Sequence, residues 1–198
     1  MLLKILILQG TENWKDVKTA IRIVEEQFSD VILICGVSSY REVLNLDRKV
    51  FGIPSLEDDI YIIKILKERD SYIAGSWRQV EREICVGGVD SKNPFQNAER
   101  LRQKKPPECK YAIILSSYAP KHSSCSRVKL MNREVGVGFA PLLPLAKEFS
   151  KSLVVSCSSH IEKEVCIESL EQNVLLIVTR KPITQVAVDL RTLKAEVM

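Results

Sequence analysis

Leu2-Leu3-Lys4-Ile5-Leu6-Ile7-Leu8, stopped by Gly10, and Val31-Ile32-Leu33-Ile34-Cys35, stopped by Gly36, decide the fold class of this chain. Each is a short, nearly continuous apolar run bounded by glycine, the pattern of a strand buried on both faces. Between them Asn13 can cap a helix that starts at Trp14, with Asp16 in its first turn. Trp14, Val17, Ile21, Val24 and Phe28 recur at the helical period, and Lys15, Lys18, Arg22 and Glu25 fall on the other side. Together they predict a β-α-β unit with parallel strands and a right-handed crossover.

Working outward, Lys49–Ile53 reads as a short strand ended by Pro54. Ser55 would then cap a helix from about Glu57 to Arg69, with Glu57, Asp58 and Asp59 in its first turn. Ser71–Ala74 and Ile84–Val86 read as strands, with Gly75, Gly87 and Gly88 as turns. Residues 90–107 are polar, basic and loop-like, with one helical turn near Asn97–Arg102. Tyr111–Leu115 is another buried strand, and Ser116 to Gly138 a long polar connection of the kind that usually carries function. Pro141 and Pro144 suit the start of a helix running to about Phe149. Leu153–Val155, Val165–Ile167, Val174–Val178 and Gln185–Leu190 complete the strands. Alternation of strand and helix followed by successive strands predicts a mixed sheet, or two packed sheets with helices outside.

The chain has 198 residues, 45% of them apolar and 27% charged, which suits one soluble domain with a full core. The first apolar run is too short to span a bilayer and leads into Gly10-Thr11-Glu12-Asn13, not into a cleavage site. We therefore expect a cytoplasmic protein with no membrane segment. Cys35, Cys85, Cys109, Cys125, Cys157 and Cys166 form no C-x-x-C pair, which argues against a zinc ribbon or a thioredoxin-like site. They read as buried thiols, or as disulfides if the source is a hyperthermophile.

Charge is uneven. Ten basic residues lie between Lys92 and Arg133 against the two acids Glu99 and Glu108, and the rest of the chain has 19 basic and 23 acidic residues. The segment thus carries +8 and the remainder −4, within a total of +4. Such asymmetry points to an anionic partner, a nucleic acid among the options, with Lys92, Lys104, Lys105, Lys121, Arg127 and Lys129 as candidate contacts; a solvated surface is the plain alternative. Aromatic residues are sparse there (Phe95, Tyr111, Tyr118), so base stacking has little support.

Four segments carry a resemblance. Asp30-Val31-Ile32-Leu33-Ile34-Cys35-Gly36 resembles a strand leading to a G-D motif. Val50-Phe51-Gly52-Ile53-Pro54-Ser55-Leu56-Glu57-Asp58-Asp59 resembles a strand followed by G-N-x-D. Ile113-Ile114-Leu115-Ser116-Ser117-Tyr118-Ala119-Pro120-Lys121 resembles a strand ending in S-H-x-P-P-K. Leu153 to Glu162 resembles the strand and loop of G-H-x-H. In this order they resemble the calcineurin-like metallophosphoesterases, in particular the small archaeal and bacterial forms, over nearly the whole chain. The resemblance implies that residues 1–198 form a single metallophosphoesterase-like domain. Its fold would be a four-layer α/β/β/α sandwich of two mixed sheets, with a cleft at the strand ends.

The chemical letters are gone. The opening D-x-H falls on Gly10 and Glu12, and the Asp of G-D on Val37. The Asn of G-N-x-D falls on Leu56, with Glu57 at the next position. The His of S-H-x-P-P falls on Ser117, and the G-H-x-H pair on Ser159 and Ile161, with His160 one place out of phase. Two-metal hydrolysis needs imidazoles and carboxylates converging on both ions, and aliphatic side chains do not replace them. Even changes behind such ligands typically cost about 10–100-fold. The chain has only two histidines, His122 and His160. We therefore expect no metal cofactor and no catalytic residues.

Asp58 matches a family carboxylate but reads as a helix-capping acid, and Glu12 as either a cleft residue or a solvated loop acid. Cys157 with His160 or His122 could imitate a thiol–imidazole pair but lacks a third, orienting group. The leading expectation is a non-catalytic binding or scaffold subunit with a protein partner, as in the polymerase and retromer subunits that keep this fold without hydrolysis. The alternatives are a phosphoesterase with a displaced metal site drawn from Glu12, Asp58, Asp90, His122 and His160, and a nucleic-acid or nucleotide binder using the basic segment.

Overall fold

A computed structural model describes residues 1–130, 133–158 and 163–198. In chain order the elements are β1 (Leu2–Gln9), α1 (Trp14–Glu26), β2 (Val31–Cys35), β3 (Val50–Ile53), α2 (Ile60–Glu68), β4 (Trp77–Glu81) and β5 (Ile84–Val89). Then come α3 (Pro94–Gln103), β6 (Tyr111–Ser116), β7 (Arg127–Leu130), β8 (Arg133–Gly136) and α4 (Leu142–Ala146). The chain ends with β9 (Lys151–Cys157), β10 (Val165–Glu171), β11 (Val174–Thr179), β12 (Ile183–Asp189) and β13 (Lys194–Val197).

Two mixed sheets form the centre. One has the order β13-β12-β1-β2-β3 and the other β10-β11-β9-β6-β5-β4, while β7 and β8 make a separate hairpin. The strands β1, β2 and β3 are parallel, as are β5, β6, β9 and β11. Successive residues of the apolar runs serve opposite faces. Ile5, Ile7, Leu33 and Cys35 point between the sheets and pack with Ile113, Leu115, Val155 and Cys157. Leu6, Leu8, Ile32 and Ile34 point outward onto Val17, Ala20 and Val24 of α1 and Ile62 and Leu66 of α2. On the far side Ile114, Val154 and Leu176 meet Ala98 and Leu101 of α3 and Leu142, Leu145 and Ala146 of α4. The protein is therefore an α/β sandwich of four layers, α/β/β/α. No helix among the described residues is long and apolar enough to cross a membrane.

Asn13 caps α1 through Lys15 N–H at 3.1 Å, as the sequence predicts. Several expectations need correction. The second helix starts at Ile60 with Asp59 as its cap, not near Glu57 with Ser55. Ser71–Ala74 is not a strand but makes two isolated bridges, Tyr72 to Gly52 and Ala74 to Gly88. Gly87 and Gly88 are not turns but lie inside β5, because Trp77 and Ile53 occupy the space a Cβ would need. The loop expected over 90–107 contains the ten-residue helix α3, opened by Pro94 and buried only through Asn97, Ala98 and Leu101. Trp14 and Phe28, assigned to the buried face of the first helical stretch, are exposed, with Lys18 and Arg48 beside their rings.

Four cysteines are paired as disulfides, Cys85 with Cys109 and Cys125 with Cys166, each with Cα atoms 5.8 Å apart. Cys35 and Cys157 are buried thiols.

Candidate functional site

The C-terminal ends of β1, β2, β3, β6 and β9 open into one cleft of about 670 Å³. Parallel strands make this possible, since they bring the loops that follow them to the same edge. Gln9, Gly10, Thr11 and Glu12 enter after β1, Cys35, Gly36, Ser38 and Ser39 after β2, and Ser55, Leu56 and Glu57 after β3. Ser91, Ser117 and Cys157 complete the lining. The wall is rich in hydroxyls, its exposed charges are the carboxylates Glu12 and Glu57, and its floor holds two thiols.

The loops are held by close backbone approach. Gly10 N–H donates to the Cys35 carbonyl at 2.8 Å, and a Cβ on Gly10 would sit 3.2 Å from the Gly36 carbonyl oxygen. Gly36 adopts φ 82°, a left-handed conformation that favours glycine. Behind them Tyr40 donates its hydroxyl toward the carbonyls of Gln9 at 3.0 Å and Pro182 at 3.1 Å. Burial pushes its phenol well above the usual range.

Asp58 has a different role from the one expected. Its side chain is 2% exposed, and it accepts N–H groups from Val37, Ser38 and Ser55, each at 2.8 Å. It thus ties the loop after β2 to the loop after β3 instead of capping α2. Lys92 Nζ donates to the Asp58 main-chain carbonyl. Asp90 is also buried, and its Oδ1 accepts Lys92 N–H at 3.1 Å and Asn93 N–H at 2.8 Å. Both acids are committed to main-chain donors that shape the loops beneath the cleft.

Of the positions where metal ligands would be expected, Gly10, Glu12, Leu56 and Ser117 line the cleft, whereas Val37 is fully buried against the outer helices. Ser159, His160 and Ile161 lie outside the described residues. His122 is not at this cleft. It lines a second cavity of about 480 Å³ with Lys121, Ser123, Ser126, Arg127 and Gly136. Ser123 is 1% exposed, and among the described residues its hydroxyl has no hydrogen-bond partner. Among the described residues no group of three or more His, Cys, Asp or Glu could hold a metal ion.

The basic segment is not gathered on one face. Lys92 turns in beneath the cleft, and Lys121 and Arg127 share the second cavity. Lys104 and Lys105 follow α3 to the opposite end of the sandwich, where Lys105 donates to the Glu148 carbonyl and sits 4.5 Å from the Phe149 ring centroid. Lys129 belongs to β7, and its side chain is outside the description.

One pair escaped the sequence reading. Cys35 and Cys157 meet at the cleft floor, with Cys35 Sγ 3.9 Å from Ser117 Oγ. The Cys35 thiol, acting as its hydrogen-bond partner, and then burial raise the Cys157 thiol well above its usual pKa. Cys35 was legible as the end of an apolar strand, whereas Cys157 lies two residues beyond the run Leu153–Val155 and closes β9 only in the structure.

No family model and no curated protein matches the chain. Its fold is shared with solved structures. One, of an uncharacterised protein, superimposes with a TM-score of 0.69 at 13% identity, covering 100% of this chain and 99% of that one. Another is a candidate 5′-nucleotidase from Staphylococcus aureus, solved in complex with α-ketoglutarate. Its TM-score is 0.54 at 9% identity, over 100% of this chain and 53% of that chain.

Proposed function

We propose that this chain is a cytoplasmic, non-catalytic protein of the metallophosphoesterase type, a binding or scaffold subunit that takes an anionic ligand and a protein partner. The observation that carries this reading is the use of Asp58. The one carboxylate that matches the family pattern is spent on three backbone amides. The neighbouring positions offer Gly10, Leu56 and Ser117 to the cleft. Such a lining can hold the shape of a phosphoester site while lacking the ligands that activate water.

The anionic ligand fits the second cavity better than the first. Glu12 and Glu57 oppose an anion in the main cleft. In the other, Lys121 and Arg127 supply positive charge, and His122 and the Ser123 hydroxyl, unpartnered among the described residues, supply further polar groups. A phosphoesterase with a displaced metal site is the second reading, favoured by the likeness to the candidate 5′-nucleotidase. Against it, Glu12, Asp58, Asp90 and His122 do not converge.

Titration with inorganic triphosphate in the presence of chelator tests the binding reading. Binding should persist without metal, weaken steeply with salt, and fall in Lys121→Ala/Arg127→Ala but not in Lys104→Ala. Binding that needs a divalent ion, or that depends equally on Lys104, would count against it.

A further inference from the structure

We propose that Cys35 and Cys157 are a redox-active dithiol at the floor of the main cleft, a modification site that closes to a Cys35–Cys157 disulfide. The inference does not depend on what the cleft or the second cavity binds.

The geometry comes from the two sheets. Cys35 is the last residue of β2 in the first sheet, and Cys157 the last residue of β9 in the second. Both belong to the apolar cluster packed between the sheets, and both line the same cleft. Ser116 of β6 pairs with Ser156 of β9, one residue before Ser117 and Cys157, and Ser117 Oγ is 3.9 Å from Cys35 Sγ. The other four cysteines are already paired, so the fold carries disulfides elsewhere. Cys35 and Cys157 are the two free thiols, and they share one cluster and one cleft.

The surroundings suit a disulfide better than a metal. Cys35 and Cys157 are 9% and 6% exposed, and no third His, Cys, Asp or Glu among the described residues joins them. A tetrahedral zinc site therefore lacks ligands. Charged thiolates on this floor would be poorly solvated, whereas the thiol pair and the disulfide are both neutral. The cleft above gives a small oxidant access.

The reaction balances with a low-molecular-weight disulfide such as oxidised glutathione. One protein thiolate attacks a sulfur of the oxidant, whose S–S bond breaks, and one glutathione thiolate leaves. The second protein thiolate then attacks the protein sulfur of the mixed disulfide and displaces the other glutathione. Two protein thiols are oxidised to one disulfide, the oxidant is reduced to two thiols, and the two protein protons end on the released glutathione. Because the Cys157 thiol is held protonated, closure should speed up with rising pH. The new bond would join the two sheets at the floor of the cleft.

The test uses the full native chain, incubated with oxidised glutathione, quenched with an alkylating agent under denaturing conditions and mapped by mass spectrometry. The expected product is a Cys35–Cys157 cross-link, about 2 Da lighter than the dithiol and reversed by dithiothreitol. Cys35→Ser and Cys157→Ser should each stop at a glutathione adduct on the remaining cysteine. Should either variant fail to fold, the parent map decides alone. Both cysteines still alkylated at saturating oxidant, glutathione adducts without the cross-link, or a cross-link formed only in urea would each overturn the proposal.

Discussion

The carboxylate of Asp58, in the loop after β3, accepts the main-chain N–H of Val37, in the loop after the neighbouring strand β2, at 2.8 Å. The same side chain holds Ser38 and Ser55, so the loops after β2 and β3 hang on one buried acid. The acid thereby braces two of the loops that line the cleft.

Asp58→Ala should therefore act on stability. It strands three main-chain donors, each costing about 1–3 kcal/mol when left without an acceptor, though water from the cleft will relieve part of this. We expect a loss of about 3 kcal/mol in urea unfolding with an unchanged m-value. A loss below about 0.5 kcal/mol, the level of an ordinary surface change, would show that the loops hold without it.

Gly87 tests the packing that hides β5. A Cβ there would lie 2.7 Å from Trp77 Cε3 and 2.9 Å from Leu101 Cδ2. The indole cannot retreat easily, because its Nε1–H donates to the Leu101 carbonyl at 2.8 Å. Gly87→Ala should cost about 1–3 kcal/mol, as overpacked cores do. Gly136→Ala, where nothing lies within 4 Å, should stay near neutral. Equal thermal shifts in the two variants would contradict this packing.

Asp189 should shape the acid limb of stability. Its carboxylate accepts from Arg191 N–H, the Met1 amino group and Thr192 Oγ1, and these bonds lower its pKa to about 2. A carboxylate depressed in the folded state stabilises above its unfolded pKa. That contribution is complete above about pH 4 and fades as pH falls toward 2. Asp189→Asn should flatten the loss of stability in this window and leave its pH dependence between about pH 5 and 6 unaltered. An acid limb identical in parent and variant would remove Asp189 from the account.

Much of the architecture was legible because Leu2–Leu8, Val31–Cys35 and Tyr111–Leu115 are apolar on both faces, which only strands covered on both sides require. The helix over Pro94–Gln103 was not, since only Ala98 and Leu101 mark its inner face among polar neighbours. Gly87 and Gly88 read as turns because the reason for their missing side chains, Trp77 and Ile53, lies elsewhere in the chain. At the site, the positions Gly10, Glu12, Leu56 and Ser117 came from the resemblance to motifs that follow strands, and the structure brings them to one cleft. The commitment of Asp58 to Val37, Ser38 and Ser55 was hidden, because a carboxylate before a helix looks the same whether it caps that helix or braces two loops. The meeting of Cys35 with Cys157 depends on how two sheets stack, which no local pattern records.

The most direct test of the central claim is metal content measured together with hydrolysis on one preparation, purified without chelator. Elemental analysis should give less than one Mn, Fe, Zn or Ni per chain, and bis-p-nitrophenyl phosphate should be hydrolysed at background rate with and without added manganese. Two tightly held ions per chain, with manganese-dependent turnover lost in Asp58→Asn or His160→Ala under conditions where the variant remains folded, would contradict it.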